Sequence, residues 1–231
     1  MGAGKLQFSN DYLFRSAEGA NATWVGGGVE VDSGKTVLWQ VNGNARINLK
    51  ARSTLDGRIE LVDTTSAIYA DISEGSSTAD ELASTINSEI DGQGSLYKTG
   101  NGQLTLNGQV SAARGIRLEQ GELEVNNAVT SALQMAQGTL PGGKGTLASI
   151  NMADSAMLYP GRWQRDADDW ATLRVRNLLG HGSNSVRLNT GFAAGKTDRL
   201  LIAGDINTDA PITVSVAPQA SWTGSSSTSV G

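Results

Sequence analysis

Residues 94–125 read GSLYKTGNGQLTLNGQVSAARGIRLEQGELEV, and this stretch decides the fold. Residues 104–106, 116–118 and 123–125 each alternate apolar and polar side chains. A period of two places one set of side chains on a buried face and the other in solvent, as in a β-strand. Glycine-bearing turns separate these segments. Short strands that turn every few residues predict a β-solenoid, in which the chain coils and stacks on itself.

The composition agrees with a packed chain that turns often. The 231 residues include 29 Gly but only 4 Pro, which favours many tight turns over a disordered Pro/Gly linker. The net charge is −5 without a basic run, so we expect no nucleic-acid partner. Cysteine is absent, which excludes disulfides, thiolate metal sites and cysteine nucleophiles. A chain that crosses the periplasm unfolded would also need to avoid disulfides.

One segment departs from the strand pattern. Leu82, Ile86 and Ile90 are spaced by four, which puts them on one face of a helix. Thr78 with Glu81 fits a capping box. We therefore predict a short helical or irregular insertion at about 78–90, within an interruption of the solenoid at about 75–92, with a polar loop as the alternative.

The spacing of predicted strands becomes longer after the Pro160-Gly161 corner. This favours two parts: β-helix stem rungs over residues 1–161, and a C-terminal cap rich in β-hairpins over residues 162–231. A solenoid needs its open end covered, and the cap would do this.

The residues with catalytic potential have more ordinary explanations. His181 is the only histidine, and it lies in a glycine-flanked turn without a serine-protease serine motif elsewhere. The acidic residues are candidates for glycoside hydrolysis or for weak calcium binding, but a solvated turn explains them better. Tryptophans are candidates for sugar stacking, but covering the core explains them better. The residues concerned are Asp154, Asp166, Asp168, Asp169, Trp24, Trp39, Trp163 and Trp170. We assign no catalytic, cofactor-binding or metal residue, and we expect no cofactor.

Two motifs lie in residues 98–125 and 197–204. They resemble those of a known family, the passengers of bacterial type V autotransporters. The first resembles the passenger-associated repeat, K-x-G-x-G-x-L-x-L followed by G-x-L-x-V. The second is similar to the S-D-x-L-x-V-x-G motif of the autochaperone region, with Thr197 where serine is usual. The repeat positions are Lys98, Gly100, Gly102, Leu104, Leu106, Gly121, Leu123 and Val125. The autochaperone positions are Thr197, Asp198, Arg199, Leu200, Ile202 and Gly204.

The resemblance implies a fold and a location. The fold would be a right-handed parallel β-helix with three sheets per turn, a pectin-lyase-like or pertactin-like solenoid. The protein would leave a Gram-negative bacterium through the periplasm and outer membrane, and would be displayed on the cell surface or secreted. Its partners during export would be its own C-terminal outer-membrane β-barrel, before which we expect this chain to stop, and the barrel-assembly machinery.

Fold alone does not fix function in this family. The resemblance implies a non-catalytic stem that folds vectorially at the cell surface and supports or displays a virulence effector. One alternative is the stem of a subtilisin-like or trypsin-like serine protease autotransporter whose catalytic domain lies upstream. Another is an adhesin passenger that binds a host glycan or protein, with residues 75–92 and Trp24 as its first candidate contacts. A polysaccharide-cleaving solenoid is the least favoured alternative.

Overall fold

The computed structural model describes residues 6–24, 27–73, 82–161, 170–191 and 195–218. Every named element in these ranges is a β-strand, and strands from successive turns of the chain pair in parallel to form three sheets. We call them sheet I with 11 strands, sheet II with 4 strands and sheet III with 10 strands. The predicted all-β parallel β-helix is confirmed, and its right-handed winding stays a prediction. The described residues contain no helix long and apolar enough to cross a membrane.

Each of the first four turns contributes one strand to each sheet, in the order I, II, III. The strands are β1 (Leu6–Phe8), β2 (Tyr12–Arg15), β3 (Asn21–Trp24), β4 (Gly27–Val31), β5 (Val37–Val41), β6 (Arg46–Leu49), β7 (Ser53–Leu55), β8 (Arg58–Leu61), β9 (Ala67–Asp71), β10 (Ala83–Ile86), β11 (Glu89–Gly92) and β12 (Ser95–Thr99).

Later turns contain fewer strands, and some of these strands are longer than any in the first four turns. They are β13 (Gln103–Leu106), β14 (Ile116–Leu118), β15 (Glu122–Val125), β16 (Ala128–Met135), β17 (Leu140–Gly143), β18 (Thr146–Met152), β19 (Met157–Pro160), β20 (Thr172–Gly180), β21 (Ser185–Gly191), β22 (Lys196–Thr197), β23 (Arg199–Ile202), β24 (Ile206–Thr208) and β25 (Thr213–Pro218).

Sheet II merges into sheet III along the stack. Ile90 in β11 bridges Val110, and Val110 bridges Val129 in β16. The register of β16 against β18 then shifts between Val129 and Ala132. Because a β-bulge bends its strand, we place the corner between the two faces at this shift.

The core runs along the axis as columns of apolar side chains in register. Leu96, Ile116, Leu133, Ile150 and Leu178 follow one another in five successive strands of sheet III, and none is more than 2% exposed. Each turn buries apolar surface of both neighbouring turns. This burial stabilises the fold by about 25 cal/mol per Å² of surface removed from water. The alternation predicted for residues 104–106, 116–118 and 123–125 is confirmed, because the apolar positions are buried and the central polar ones are not.

The predicted helical insertion is wrong for the part that the structure describes. Residues 83–86 and 89–92 form β10 and β11, which pair in parallel with neighbouring turns. Ile86 and Ile90 are fully buried. They point into the same core from two different strands, so their spacing of four comes from a corner and not from a helical face. Residues 74–81, with Thr78 and Glu81, lie outside the described residues.

The predicted β-hairpin-rich cap is wrong for residues 170–191 and 195–218, the described part of residues 162–231. β20, β21, β23, β24 and β25 all pair in parallel with a neighbouring turn. Between strands of this region, only β21 and β22 pair antiparallel. The longer spacing reflects longer turns: 28 residues separate the paired Leu158 and Val186, whereas 19 separate Leu104 and Leu123. The division at residue 161 stays a prediction.

Candidate functional site

Lys98 of the repeat motif lies inside the β-helix. It stands in register with Ala70 and Leu118 and is 0% exposed. Its Nζ donates hydrogen bonds to the carbonyl oxygens of Thr99 (2.8 Å), Gly100 (2.7 Å) and Gln120 (3.1 Å). Burial lowers the pKa of Lys98 from its usual 10.5 to about 8, although nearby carboxylates oppose this shift. A buried amine thus binds the corner of its own turn to the corner of the next.

The glycines of the motif make this corner compact. Gly100 and Gly121 have φ of +73° and +72°, which L side chains rarely adopt. A Cβ on Gly102 would lie 2.3 Å from the Leu82 carbonyl oxygen, and one on Gly121 would lie 2.5 Å from the Gly100 carbonyl oxygen. Corners of successive turns therefore stack backbone on backbone. We call Lys98, Gly100, Gly102, Gln120 and Gly121 the Lys98 corner.

The apolar residues of the motif are core residues of β13 and β15. Leu104 pairs with Leu123, and Leu106 pairs with Val125. All four are at most 1% exposed. The repeat therefore describes two consecutive turns, with a polar corner at one end and apolar columns beside it.

Asp198 of the second motif is also buried, at 1% exposure. Its Oδ1 accepts a hydrogen bond from the backbone N–H of Ala171 (3.0 Å). Its Oδ2 accepts from the backbone N–H (3.0 Å) and the side-chain Nδ2 (3.1 Å) of Asn189. The Asn189 Nδ2 also donates to the Tyr159 hydroxyl at 2.9 Å. We call Tyr159, Ala171, Asn189 and Asp198 the Asp198 cluster; it joins two successive turns.

The other autochaperone positions surround this cluster. Thr197 Oγ1 donates to the Asn189 carbonyl oxygen (3.0 Å) in the β21–β22 pair. Leu200 and Ile202 are half-buried and pack on the core from β23, while Arg199 is exposed. A Cβ on Gly204 would lie 2.5 Å from Asn177 Oδ1. The structure thus gathers the motif around one turn, and an autochaperone role stays a prediction.

His181 lies in an exposed turn, as the sequence favours. Its Nδ1 is 3.1 Å from Asp209 Oδ2, and Asp209 Oδ1 accepts from the Gly182 N–H at 2.7 Å. These hydrogen bonds, the Gly182 one first, lower the pKa of Asp209. Among the described residues, no serine hydroxyl hydrogen-bonds the ring, and a Ser-His-Asp arrangement needs one.

The remaining chemical candidates are distributed between the two ends of the chain. Asp154 Oδ1 accepts a hydrogen bond from the Ser183 N–H at 2.7 Å and so stabilises the turn at residues 181–184. Trp24 and Trp39 contact each other edge to face at 6.0 Å and pack on the core near the first turns. Trp170 is half-buried. Trp163, Asp166, Asp168 and Asp169 lie outside the described residues, as does part of the 75–92 segment. Within the described ranges, no group of three or more His, Cys, Asp or Glu is placed to hold a metal ion.

The structure shows an asparagine ladder that the sequence reasoning missed. Asn107 Nδ2 donates to Asn87 Oδ1 (2.8 Å), and Asn126 Nδ2 donates to Asn107 Oδ1 (2.9 Å). Asn87 Nδ2 donates to Asp56 Oδ1 (2.7 Å), which extends the ladder to the preceding turn. The signal was available: each Asn directly follows the last apolar residue of a sheet I strand, at the same point of three successive turns.

Two features of the outer face of sheet III were also missed. The Tyr69 and Tyr97 rings stack at 4.7 Å, with the Arg46 and Arg117 guanidinium groups over their outer faces at 4.9 and 5.8 Å. Further along the same face is a groove of about 380 Å³. It is lined mainly by Ala132, Gln134, Ser149, Asn151, Asn177, Leu179, Asp205 and Asn207, and we call it the amide groove.

Comparison with known proteins gives one partial match. Over 48 residues the chain is 54% identical to the "Serine protease SepA autotransporter" of Shigella flexneri. The match covers 21% of this chain and 3% of that protein. No family model and no solved structure matches. The similarity is therefore confined to a short part of the chain and to a small part of that autotransporter.

Proposed function

We propose that this chain is a non-catalytic β-helical stem of an autotransporter passenger, and that it folds at the cell surface from its C-terminal turns. The parallel β-helix and the partial homology support this role. On this proposal the chain is displayed on or secreted from a Gram-negative bacterium, and it supports an effector. Its export partners are its own outer-membrane β-barrel and the barrel-assembly machinery.

The observation that carries the proposal is the Asp198 cluster. Two backbone N–H groups and one amide satisfy a carboxylate that is almost fully buried. The cluster lies among turns of 27 and 28 residues, against 19 between Leu104 and Leu123, and closing a longer turn costs more conformational entropy. If these turns fold first, the preceding turns of the chain have a formed sheet edge to pair with, because each solenoid turn contacts only its neighbours.

The test is surface display of the chain fused ahead of an autotransporter barrel in a Gram-negative host. Asp198→Asn replaces one carboxylate oxygen, which accepts a hydrogen bond, with an NH₂ group that can only donate. That NH₂ group would face N–H donors. We expect unfolding free energy to fall by about 2–4 kcal/mol and protease-resistant surface material to fall several-fold. Glu119→Gln makes the same chemical change at an exposed position and should display normally. Normal display of Asp198→Asn would contradict the proposal.

A second function, the stem of a serine protease autotransporter, is favoured by the SepA match. The stem itself would then position a catalytic domain and not touch its substrate. Sequencing the gene on the 5′ side of this segment tests it. A Ser-His-Asp set upstream supports the protease stem, and β-helix turns alone would refute it.

A further inference from the structure

The amide groove occupies the concave corner where sheet II merges into sheet III. Ala132, Ser149 and Asn177 follow one another in register in β16, β18 and β20, directly after the register shift in β16. The first two side chains are small, so the corner is not filled. The groove has a volume of about 380 Å³, within the range of about 300–1,000 Å³ that small-ligand sites occupy.

A second column of side chains forms the wall of the groove. Gln134, Asn151, Leu179 and Asn207 stand in register in four successive strands. Gln134 and Asn207 are exposed, and Asn151 and Leu179 are half-buried. Successive strands are about 4.8 Å apart, so the wall presents side chains at a regular spacing of that size. All of them are polar amides except Leu179.

Three of these amides are free to bind a ligand. The side chains of Gln134, Asn151 and Asn207 make no hydrogen bond to another described residue. Asn177 is already engaged, because its Oδ1 accepts from the Asp205 N–H at 3.2 Å. Each free amide offers both a donor and an acceptor. The wall therefore matches a ligand that carries donors and acceptors in equal measure.

The tyrosine pair nearby does not bind the same ligand by stacking. Guanidinium groups cover the outer faces of both rings, so no ring face is left for a sugar. Asp205 is the one charged residue among the groove residues. The amides and not the aromatics determine what fits, and a neutral ligand suits the groove better than a polyanion.

We propose that the amide groove binds a neutral oligosaccharide that contains N-acetylhexosamine. An acetamido group pairs with a side-chain amide through one N–H and one C=O, and its methyl group can rest on Leu179. A sugar unit is comparable in length with the strand spacing, so consecutive units along the axis would meet Gln134, Asn151, Leu179 and Asn207 in turn. This inference goes beyond the stem function and does not depend on it.

The experiment measures binding of chitotetraose, an N-acetylglucosamine tetramer, to the whole chain by calorimetry or NMR titration. We expect saturable binding with a Kd of about 1 mM or tighter. Asn151→Ala should weaken it at least tenfold without changing the unfolding midpoint, because the Asn151 amide supports no other described residue. The matched control is Asn48→Ala, which alters the same outward column of sheet III far from the groove.

Three results with tetrasaccharides would overturn the proposal. The first is no binding of chitotetraose, and the second is equal binding of Asn151→Ala and the unchanged chain. The third is equal affinity for cellotetraose, which lacks acetamido groups. Asialofetuin distinguishes a protein partner from a glycan: binding that survives removal of its glycans would also overturn the proposal. None of these results bears on surface display, so failure here is distinguishable from failure of the stem function.

Discussion

Lys98 and Asp198 are the two charged side chains that the described residues bury almost completely, at 0% and 1% exposure. Both bind backbone groups and not each other: Lys98 donates to three carbonyls, and Asp198 accepts from two N–H groups and an amide. A buried charge is tolerated only when such bonds compensate for its lost hydration. Both lie at corners, where strand pairing ends and backbone groups need other partners.

The burial of Lys98 predicts a pH dependence of stability. Its folded pKa is about 8 against 10.5 when solvated, so between these values the unfolded chain binds more protons and stability rises with pH. The contribution from Lys98 should therefore grow by about 3 kcal/mol between pH 8 and 10.5. Chemical denaturation of the wild type and Lys98→Met at several pH values measures it as the difference between the two curves.

At neutral pH, the same Lys98→Met variant tests the hydrogen bonds that Lys98 donates. There it should cost about 1–3 kcal/mol, because the carbonyls of Thr99, Gly100 and Gln120 lose a donor. Lys50→Met changes a partly exposed lysine of the preceding turns and keeps Lys98, so the rise above pH 8 should remain. Parallel curves for wild type and Lys98→Met across this range would show that folding does not lower the pKa of Lys98.

At the scale of elements, alternation and glycine turns predicted the strands of residues 94–125 correctly, because a period of two fixes which side chains face inward. Two things escaped the same reading. Ile86 and Ile90 share an inward direction across a corner, and a corner that keeps this spacing imitates a helical period. Lys98 stands in an apolar column, which no pattern based on hydrophobicity assigns to a lysine.

The candidate sites were predictable only where chain order brings their members together. The Lys98 corner lies within residues 98–121 and the Asp198 motif within residues 197–204, so both motifs could be recognised in the sequence. The other members of the Asp198 cluster, Tyr159, Ala171 and Asn189, are distant in sequence and were not predicted. The amide groove joins β16, β18, β20 and β24, whose members are aligned only by register between turns of unequal length. Sequence alone does not give that register.

The asparagine ladder predicts a contribution to how turns stack. Asn107→Ala removes the bonds to Asn87 Oδ1 and from Asn126 Nδ2. We expect a loss of about 1 kcal/mol in unfolding free energy, since these bonds are largely exposed to water. Asn48→Ala is the control, because its amide makes only contacts of 3.3 and 3.4 Å. An equal loss in both variants would show that the ladder adds nothing beyond an exposed asparagine.

On the scale of the whole molecule, the two ends of the described stack differ in what they expose. The first turn exposes Tyr12, Leu13 and Phe14, whose neighbours form a cluster of stacked and edge-on rings. The last turns expose Val214 and Val216 but contain the buried polar bonds of the Asp198 cluster just before them. Aromatic packing is adaptable in geometry, whereas the cluster needs one arrangement. On the proposed stem function, we expect this asymmetry to favour folding from the C-terminal side.

The last prediction compares equal damage at opposite ends. Val29→Asp and Leu158→Asp each place a carboxylate at a position of 0% exposure in sheet I, and each should cost several kcal/mol in the isolated chain, on the order of 3–5. In a displayed fusion, Val29→Asp should leave a protease-resistant fragment that contains the later turns, because in the proposed folding order those turns form first and need no template from the earlier ones. Leu158→Asp should leave little resistant material, since every earlier turn would lack its folded neighbour.

Thr130→Asp, at an exposed position, controls for added charge. The measurement is the size and amount of the resistant fragment on intact cells. Equal amounts from both buried variants would mean that the turns fold without a preferred end, and a larger loss from Val29→Asp would place the first folded turns at the N-terminal side.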